Sequence, residues 1–520
     1  MAGFGLRIRH LGRLGLIGDE GIQAVAVQHI LATGVPRVDS GILYTRSLPY
    51  LYTQAACARS FGLNEFSLRL PSLFFGVLAI WLMYLFGRRV IDWRIGLSAA
   101  AVMAFSVWEI ELSRYGRFYT LFQSSYLLSL LLFYRGFLEG DRRARWWWIP
   151  AALVTIASHE LGAVILSCFL IPVIFRLVRP AGGAIRWWLI WTGLVGAAVA
   201  YAGFLAACRT GEQWIWPRLP GVSHPHVYGY IVSWLRQGWP VMLGALAAGS
   251  LLLIRRMIVD RSRPAAFLLG ALALPIFIAS CVEVRMYQPR YFFHLYPLIV
   301  LVCVIAAASG GKALVARWPT RFGLLRRAAI AGLFLAALVL SQDANPLAAW
   351  AVGNQTYQSR RDLFARLRGP LTSSHEGVIH QDFKHPSRYV REHRAAGDMV
   401  IALGLPHKVA IYHYYAGGVD RSVEEKPRFY QLRRADGTII EHITGNVVLE
   451  GYPALQTFLA SHSGRVWILA DRLLIRPDHY LYSDPLKTFL APLAEHPAEV
   501  GEDGLTFAAL LPSKSAPAGQ

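Results

Sequence analysis

Two short polar segments combine residue types that could transfer a proton and bind an anion. Asp19-Glu20 precedes an amphipathic stretch over 21–31. The segment 108–119 holds five candidate residues, which are the acids Glu109 and Glu111, the arginines Arg114 and Arg117, and Tyr119. A positioned carboxylate can act as a general base, and arginine binds phosphate through paired hydrogen bonds. Simpler interpretations also exist, because Asp19 could cap a helix and aromatic and basic residues collect at membrane surfaces.

Three further polar segments interrupt or border apolar sequence. They are Ser158-His159-Glu160, the stretch 283–291 with Arg285, Arg290 and Tyr291, and the stretch 64–72 with Arg69. The first could be no more than the tight turn of a helical hairpin. Arginines at a membrane edge often only extend their side chains to water.

The composition shows that these segments must be positioned by membrane helices. Hydrophobic residues make up 55% of the 520 residues, charged residues 16%, and the mean hydropathy is +0.38, whereas a soluble chain carries roughly 25% charged residues. Disorder, collagen and coiled coil are excluded, and five scattered cysteines without C-x-x-C exclude a disulfide or zinc framework. Ten apolar runs predict membrane helices: 70–87, 95–107, 119–138, 147–158, 161–175, 187–208, 238–254, 265–282, 291–309 and 328–342.

The basic residues indicate the orientation of these helices. Alternate connecting loops hold 18 of the 25 lysines and arginines found in the short loops, which places that set in the cytoplasm. Residues 19–69 and everything after about 343 are then outside. The formal charge of +20 therefore records membrane topology rather than binding to nucleic acid.

The two ends of the chain differ from the apolar middle. Residues 1–18 contain Arg7, Arg9, His10 and Arg13, so they resemble neither a membrane helix nor a signal peptide, and we expect an upstream start encoding a further helix. A linker over 343–374 leads to a soluble α/β domain over 375–514 and a disordered tail over 515–520. Strands are predicted near 398–403, 466–471 and 505–511, with helices over 406–415 and 452–462. The fold class is thus a polytopic α-helical membrane protein with about 10–11 transmembrane helices and a C-terminal soluble α/β domain.

The order of the motifs resembles a known superfamily. The acidic pair at 19–20 is followed by Pro-Tyr-x-Tyr at 49–52, Glu-x-x-x-Arg-Leu-Pro-Ser at 65–72, Ser-Arg-Tyr-x-Arg-x-Tyr at 113–119 and Pro-Arg-Tyr at 289–291. This pattern is similar to the GT-C integral membrane glycosyltransferases, in the bacterial branch related to protein O-mannosyltransferases and the lipid A aminoarabinose transferase. The chain departs from the pattern by lacking a helix before the acidic pair, and by having no acid beside Arg114.

The resemblance implies a function and assigns roles to the polar residues. The chain would transfer a sugar from a polyprenyl-phosphate donor to a hydroxyl of a glycan, lipid or protein acceptor, with inversion, on the outer face of a bacterial inner membrane. Asp19 would be the base, and Glu20 would orient it or the acceptor. The phosphate-binding residues would be Arg114, Arg117, Tyr119, Arg285, Arg290 and Tyr291, with Arg69 a weaker candidate. A divalent metal or the acceptor could be held by Glu109, Glu111, His159 and Glu160, and whether the protein uses a metal is left open by the sequence.

Two other classes of function remain open at this point. A transporter or flippase of lipid-linked sugars predicts charged or broken helices at the bilayer midplane and an inverted repeat, neither of which the sequence shows. A non-catalytic membrane scaffold with an outer domain requires the Asp19-Glu20 pair to be dispensable. The α/β domain itself could bind acceptor or be a lid without substrate contacts.

The topology can be tested by labelling. A cysteine replacing Ser463, in the C-terminal region predicted to lie outside, should react with an impermeant thiol reagent in intact spheroplasts. Protection of Ser463→Cys until the cells are lysed would contradict the orientation.

Overall fold

Apolar helices form the first part of the described chain. The computed structural model describes residues 1–172, 232, 235–236, 240–280, 289–317, 345–353, 356–357, 381–425, 431–477 and 482–513. The helices of this part are α1 (Ala2–Ile8), α2 (Glu20–Thr33), α3 (Leu48–Phe61), α4 (Glu65–Val90), α5 (Trp93–Phe105), α6 (Val107–Ser113), α7 (Tyr119–Phe133), α8 (Arg142–Ser158), α9 (Pro240–Ile258), α10 (Arg263–Ser280), α11 (Tyr296–Arg317) and α12 (Pro346–Val352). A π-turn (Tyr134–Leu138) and 3₁₀ helices (Glu160–Phe169 and Pro289–Leu295) join some of them.

Among the described ranges, four helices are long and apolar enough to cross a membrane. They are Glu65–Val90, Tyr119–Leu138, Pro240–Ile258 and Arg290–Gly311, and the bent pair of α5 and α6 makes a fifth if it counts as one span. The apolar helices 160–172 and 263–278 are shorter. The predicted runs 187–208 and 328–342 lie outside the described residues. The prediction of a polytopic helical membrane part is confirmed, while the number of spans stays a prediction.

The break between α5 and α6 gives a structural role to Arg7 of the basic N-terminal segment. The two helices meet at Ser106 with a 64° bend, which leaves carbonyls at the end of α5 without helical partners. Arg7 is fully buried there and donates to the carbonyls of Met103 and Ala104, each at 3.1 Å. Broken backbone in a membrane persists only where such partners exist. The segment 1–18 is therefore built into the helical part as an irregular chain with one short helix.

The C-terminal part is an α/β domain, as predicted. Its elements are α13 (Lys384–His393), β1 (Met399–Leu403), α14 (Pro406–Ala416), β2 (Arg421–Glu424), β3 (Gln431–Arg433), β4 (Ile439–Glu441), β5 (Val447–Glu450), α15 (Gly451–Ser461), β6 (Val466–Asp471), α16 (Asp484–Glu495), β7 (Glu499–Val500) and β8 (Thr506–Leu511). The sheet order is β3-β4-β5-β2-β1-β6-β8-β7. The four central strands are parallel and the edge strands antiparallel. The predicted strands and helices agree with these elements to within two residues.

The α/β domain shares a hydrophobic core with helices α2 and α3. Buried side chains of α2 and α3, including Val25 and Leu51, pack in one cluster with Val400 and Ile411 of the domain. The backbones lie close at Gly21, where an added Cβ would lie 2.5 Å from Cγ1 and 2.7 Å from the backbone nitrogen of Ile411. The predicted linker 343–374 lies mostly outside the described residues, and the tail 515–520 does so entirely.

Gly21 provides a test of this packing. We expect Gly21→Ala to destabilise the folded protein by about 1–3 kcal/mol, the usual cost of overpacking, and to lower the melting temperature in detergent. Gly5→Ala is the matched control, because Gly5 also lies in a helix and has open space around it. Equal melting temperatures for the two variants would contradict the tight contact between α2 and α14.

Candidate functional site

Asp19 does not cap helix α2 with its side chain. Its backbone is helical (φ −68°, ψ −2°), and no capping hydrogen bond forms. Its Oδ2 lies instead 3.2 Å from Nη2 of Arg117 and 3.5 Å from Nη2 of Arg290. The side chain keeps 21% of its surface exposed. The structure thus brings the predicted base together with two of the four predicted phosphate-binding arginines.

The charges around Asp19 keep its carboxylate ionised. Burial would raise the pKa of Asp19, but the Arg117 and Arg290 guanidinium groups hold it well below its usual range. His407, at the start of α14, and Arg46 act in the same direction on this pKa. The α/β domain therefore contributes to the electrostatics of the site.

Arg117 and Arg290 have hydrogen-bonding capacity left over. Arg117 is almost fully buried, donates from Nη1 to the hydroxyl of Tyr44 at 3.1 Å and lies 4.7 Å from the ring of Phe118. Arg290 lies 5.7 Å from the ring of Tyr119. Within the described part of the chain, the buried Nε atoms of both arginines have no hydrogen-bond partner. Buried donors usually find a partner, so these two N–H groups can donate to a ligand oxygen.

Glu20 is committed to a buried ion pair. Both of its oxygens contact Arg69, at 2.8 Å from Nε and 2.6 Å from Nη2. They also accept from the backbone N–H groups of Gly116 and Ile17 at 2.6 and 2.9 Å. Glu20 is 1% exposed. The position of Glu20 agrees with the role of orienting Asp19 or the acceptor. Arg69 holds Glu20 in a buried ion pair and is not free to bind phosphate.

Arg114 and Arg117 have different surroundings although they are three residues apart. Arg114 donates to the carbonyls of Arg7, Arg9 and His10 at 2.8, 2.6 and 3.3 Å. These bonds attach the turn after α6 to the N-terminal segment. Arg114 is thus engaged with the N-terminal backbone, and its role as a phosphate ligand stays a prediction. Arg285 lies outside the described residues.

His159 is a neutral histidine among aromatic rings. It packs against Phe118, Phe122 and Tyr291, with ring centroids 5.4, 5.0 and 5.7 Å apart. Burial lowers the pKa of His159 to about 4, and Nδ1 accepts from the N–H of Leu161 at 3.0 Å. The proton is therefore on Nε2, which is buried and has no partner among the described residues.

Arg46 is a residue of this site that the sequence did not reveal. Its Nε donates to Glu160 Oε1 at 2.7 Å, and its guanidinium lies 5.8 Å from the ring of Phe118. The segment 19–46 thus contributes Asp19, Tyr44 and Arg46 to one site. A single arginine in a long loop carries no spacing signal, and its proximity to Asp19 depends on the folding of that loop.

The residues predicted to hold a metal do not form a set of ligands. Glu160 pairs with Arg46, and Nδ1 of His159 is taken by a backbone N–H. Glu109 accepts from Gln123 at 2.8 Å, and both it and Glu111 are buried on α6. Across the described ranges, no three His, Cys, Asp or Glu side chains converge as a metal site requires. In the described part of the site, arginine side chains supply the positive charge.

Comparisons with known proteins agree with this architecture. A family model for dolichyl-phosphate-mannose-protein mannosyltransferase matches residues 46–206. ArnT from Cupriavidus metallidurans bound to undecaprenyl phosphate is 16% identical, with a TM-score of 0.57 over 98% of this chain and 96% of that chain. The Archaeoglobus fulgidus oligosaccharyltransferase in complex with Zn and sulfate is 14% identical, with a TM-score of 0.57 over 92% of this chain and 68% of that one.

The chain has the GT-C fold. This confirms the resemblance that the motifs at 19–20, 65–72 and 113–119 indicated. The matched range 46–206 contains Arg46, Arg117 and His159, whereas Asp19 and Arg290 lie outside it. No curated relative matches the sequence.

The different roles of the neighbouring acids can be tested through stability. Glu20→Gln leaves the buried Arg69 without its charge partner, and we expect a loss of about 3–5 kcal/mol, seen as a lower melting temperature or loss of the monodisperse peak in size-exclusion chromatography. Asp19→Asn should cost much less, because Asp19 is partly exposed and its arginines retain other contacts. A larger loss for Asp19→Asn than for Glu20→Gln would contradict this assignment.

Proposed function

We propose that the protein transfers a sugar from a polyprenyl-phosphate donor to an acceptor hydroxyl, with inversion at the anomeric carbon. The observation that supports this most is the Asp19 carboxylate, ionised and partly exposed between two arginines with unused donors. The GT-C fold and the similarity to a protein crystallised with undecaprenyl phosphate also support it.

The reaction needs one proton acceptor and one site for developing negative charge. Asp19 takes the proton of the acceptor hydroxyl as its oxygen attacks the anomeric carbon. The bond from that carbon to the phosphate oxygen breaks, and its electron pair leaves with the polyprenyl phosphate. Arg117 and Arg290 face the phosphate and stabilise the charge that it gains in the transition state.

The same arginines couple donor binding to the basicity of Asp19. In the free protein they hold the pKa of Asp19 low, which makes the carboxylate a weak base. A bound phosphate neutralises part of their charge, and a nearby negative charge raises the pKa of a carboxylate. Asp19 therefore becomes a stronger base once the donor is in place.

Further residues complete the donor site in this proposal. Tyr119 and Tyr291 lie next to Arg290 and His159, and their hydroxyl groups can donate to the phosphate. Nε2–H of His159 is a neutral donor without a partner among the described residues. Arg46, which lies between α2 and α3, borders the site. Glu20 acts by fixing the chain beside Asp19. Arg285 as a phosphate ligand, and Glu109 and Glu111 on the acceptor side, stay predictions.

We place the site on the outer face of a bacterial inner membrane. Exposed Trp93, Trp146 and Trp147 lie beside the basic residues at 88–94 and 142–145, a combination typical of a cytoplasmic membrane interface. Asp19 and the α/β domain are then on the opposite side. A lipid-linked donor would enter between the apolar helices, with its phosphate at their outer ends.

Asp19→Asn separates catalysis from helix capping. We expect transfer from polyprenyl-phosphate sugars by the purified protein to fall by about 10²–10⁴-fold, the usual contribution of a general base, at near-normal protein levels. Asp92→Asn is the matched control, because Asp92 caps α5 through the N–H groups of Arg94 and Ile95, and asparagine is an equally good cap. Near wild-type turnover by Asp19→Asn would rule out the proposed base.

A further inference from the structure

The chain leading to Asp19 is held by side chains rather than by regular secondary structure. Residues 15–17 are irregular. The N–H of Gly15 donates to the hydroxyl of Tyr357 and that of Leu16 to the hydroxyl of Tyr415, both at 2.8 Å. Nearer the site, the N–H of Asp19 donates to the hydroxyl of Tyr115 at 3.1 Å. The backbone position of Asp19 therefore depends on these partners.

The carbonyl side of the same segment is held from the membrane part. Arg69 of α4 donates to the carbonyls of Leu14 and Gly15 at 2.8 and 2.7 Å. The segment is thus fixed between α4 on one side and the tyrosines on the other. Arg69 binds carbonyl groups, so the N–H groups of Gly15 and Leu16 depend on the second set of contacts.

Tyr415 is itself fixed by charged partners. It lies on α14 of the α/β domain and is 2% exposed. Its hydroxyl accepts from Leu16 and donates to Glu65 Oε1 at 2.8 Å. Nζ of Lys384 lies 2.7 Å from the same oxygen of Glu65. The direction of the hydroxyl is therefore set by Glu65, the first residue of α4, and by Lys384 of α13.

Tyr357 holds the adjoining residue in the same way. Its hydroxyl accepts from Gly15 and donates to Asp382 Oδ1 at 3.2 Å. The contact is close, since a Cβ added at Gly15 would lie 3.0 Å from the Tyr357 hydroxyl and 3.2 Å from Cβ of Lys384. Two consecutive backbone N–H groups are thus bound by tyrosines of the C-terminal part of the chain.

We infer that the α/β domain positions the catalytic base, with Tyr415 as the main positioning residue and Tyr357, which precedes the domain and is bound to its Asp382, as support. This rests on the proposed function of Asp19. The sequence left open whether the domain binds acceptor or is a lid without substrate contacts. The contact of Tyr415 with Leu16 gives the domain a third role, which is to hold the segment from which Asp19 faces Arg117 and Arg290. Neither tyrosine hydroxyl contacts a reacting atom.

Tyr415→Phe tests this role by removing one hydroxyl group and little volume. A displacement of a catalytic group by about 1 Å costs roughly 10²-fold in rate, so we expect kcat for transfer to fall by about 10- to 100-fold. The KM for the polyprenyl-phosphate donor should stay within about twofold of wild type, because Arg117 and Arg290 are unchanged. Loss of kcat with unchanged donor KM separates positioning from loss of donor binding.

Tyr412→Phe is the matched control. Tyr412 lies on the same helix and is fully buried, and its hydroxyl has no hydrogen-bond partner among the described residues. Its kcat and melting temperature should equal those of wild type. Wild-type kcat for Tyr415→Phe, or equal losses for the two variants, would overturn the proposal. If Tyr415→Phe does not fold, Tyr357→Phe takes its place, and the same two outcomes decide.

Hydrogen–deuterium exchange separates failure of this inference from failure of the proposed function. In the full-length protein, amides of the peptide 14–20 should exchange faster in Tyr415→Phe than in wild type, with no change in Tyr412→Phe. Unchanged exchange in Tyr415→Phe would overturn the positioning role. A wild-type protein that transfers no sugar, but shows the expected exchange pattern, would reject the proposed function alone.

Discussion

The buried ion pair between Glu20 and Arg69 is the interaction on which the site depends. A buried ion pair stabilises a structure only when its remaining hydrogen-bonding groups are satisfied. Here Glu20 also accepts from Gly116 and Ile17, and Arg69 also donates to the carbonyls of Leu11, Leu14 and Gly15. One pair therefore joins the N-terminal segment, α4 and the turn that carries Arg117.

This constraint gives adjacent residues of the same type separate tasks. Glu20 is enclosed, so Asp19 is the acid left at the surface of the site, where Arg117 and Arg290 reach it. Arg114 supports the N-terminal backbone in the same turn in which Arg117 faces Asp19. The α/β domain extends the arrangement, because its packing on α2 brings Tyr415 to the chain just before Asp19.

Patterns local in the sequence predicted much of the fold. Long apolar runs located α4, α7 and α11, and short continuous apolar runs located β1 and β6, since burial in lipid or in a sheet leaves a direct mark on composition. The contacts of Arg46, Tyr357 and Tyr415 could not be predicted, because each joins residues more than a hundred positions apart. The sequence also could not distinguish Arg114 from Arg117, since their difference depends on which way a short turn faces. The apolar run 95–107 ended within two residues of the end of α5, whereas helix α6 was not predicted because Glu109 and Glu111 follow that run directly.

A cryo-EM structure of the protein in nanodiscs with undecaprenyl phosphate added tests most directly whether Arg117 and Arg290 bind the donor phosphate next to Asp19. We expect phosphate density beside Asp19, with oxygens at about 2.7–2.9 Å from guanidinium nitrogens of both Arg117 and Arg290, the usual length of charge-assisted hydrogen bonds. Phosphate bound away from both arginines, with the Asp19 ion pairs unchanged, would contradict the central claim that these arginines bind the donor next to its base.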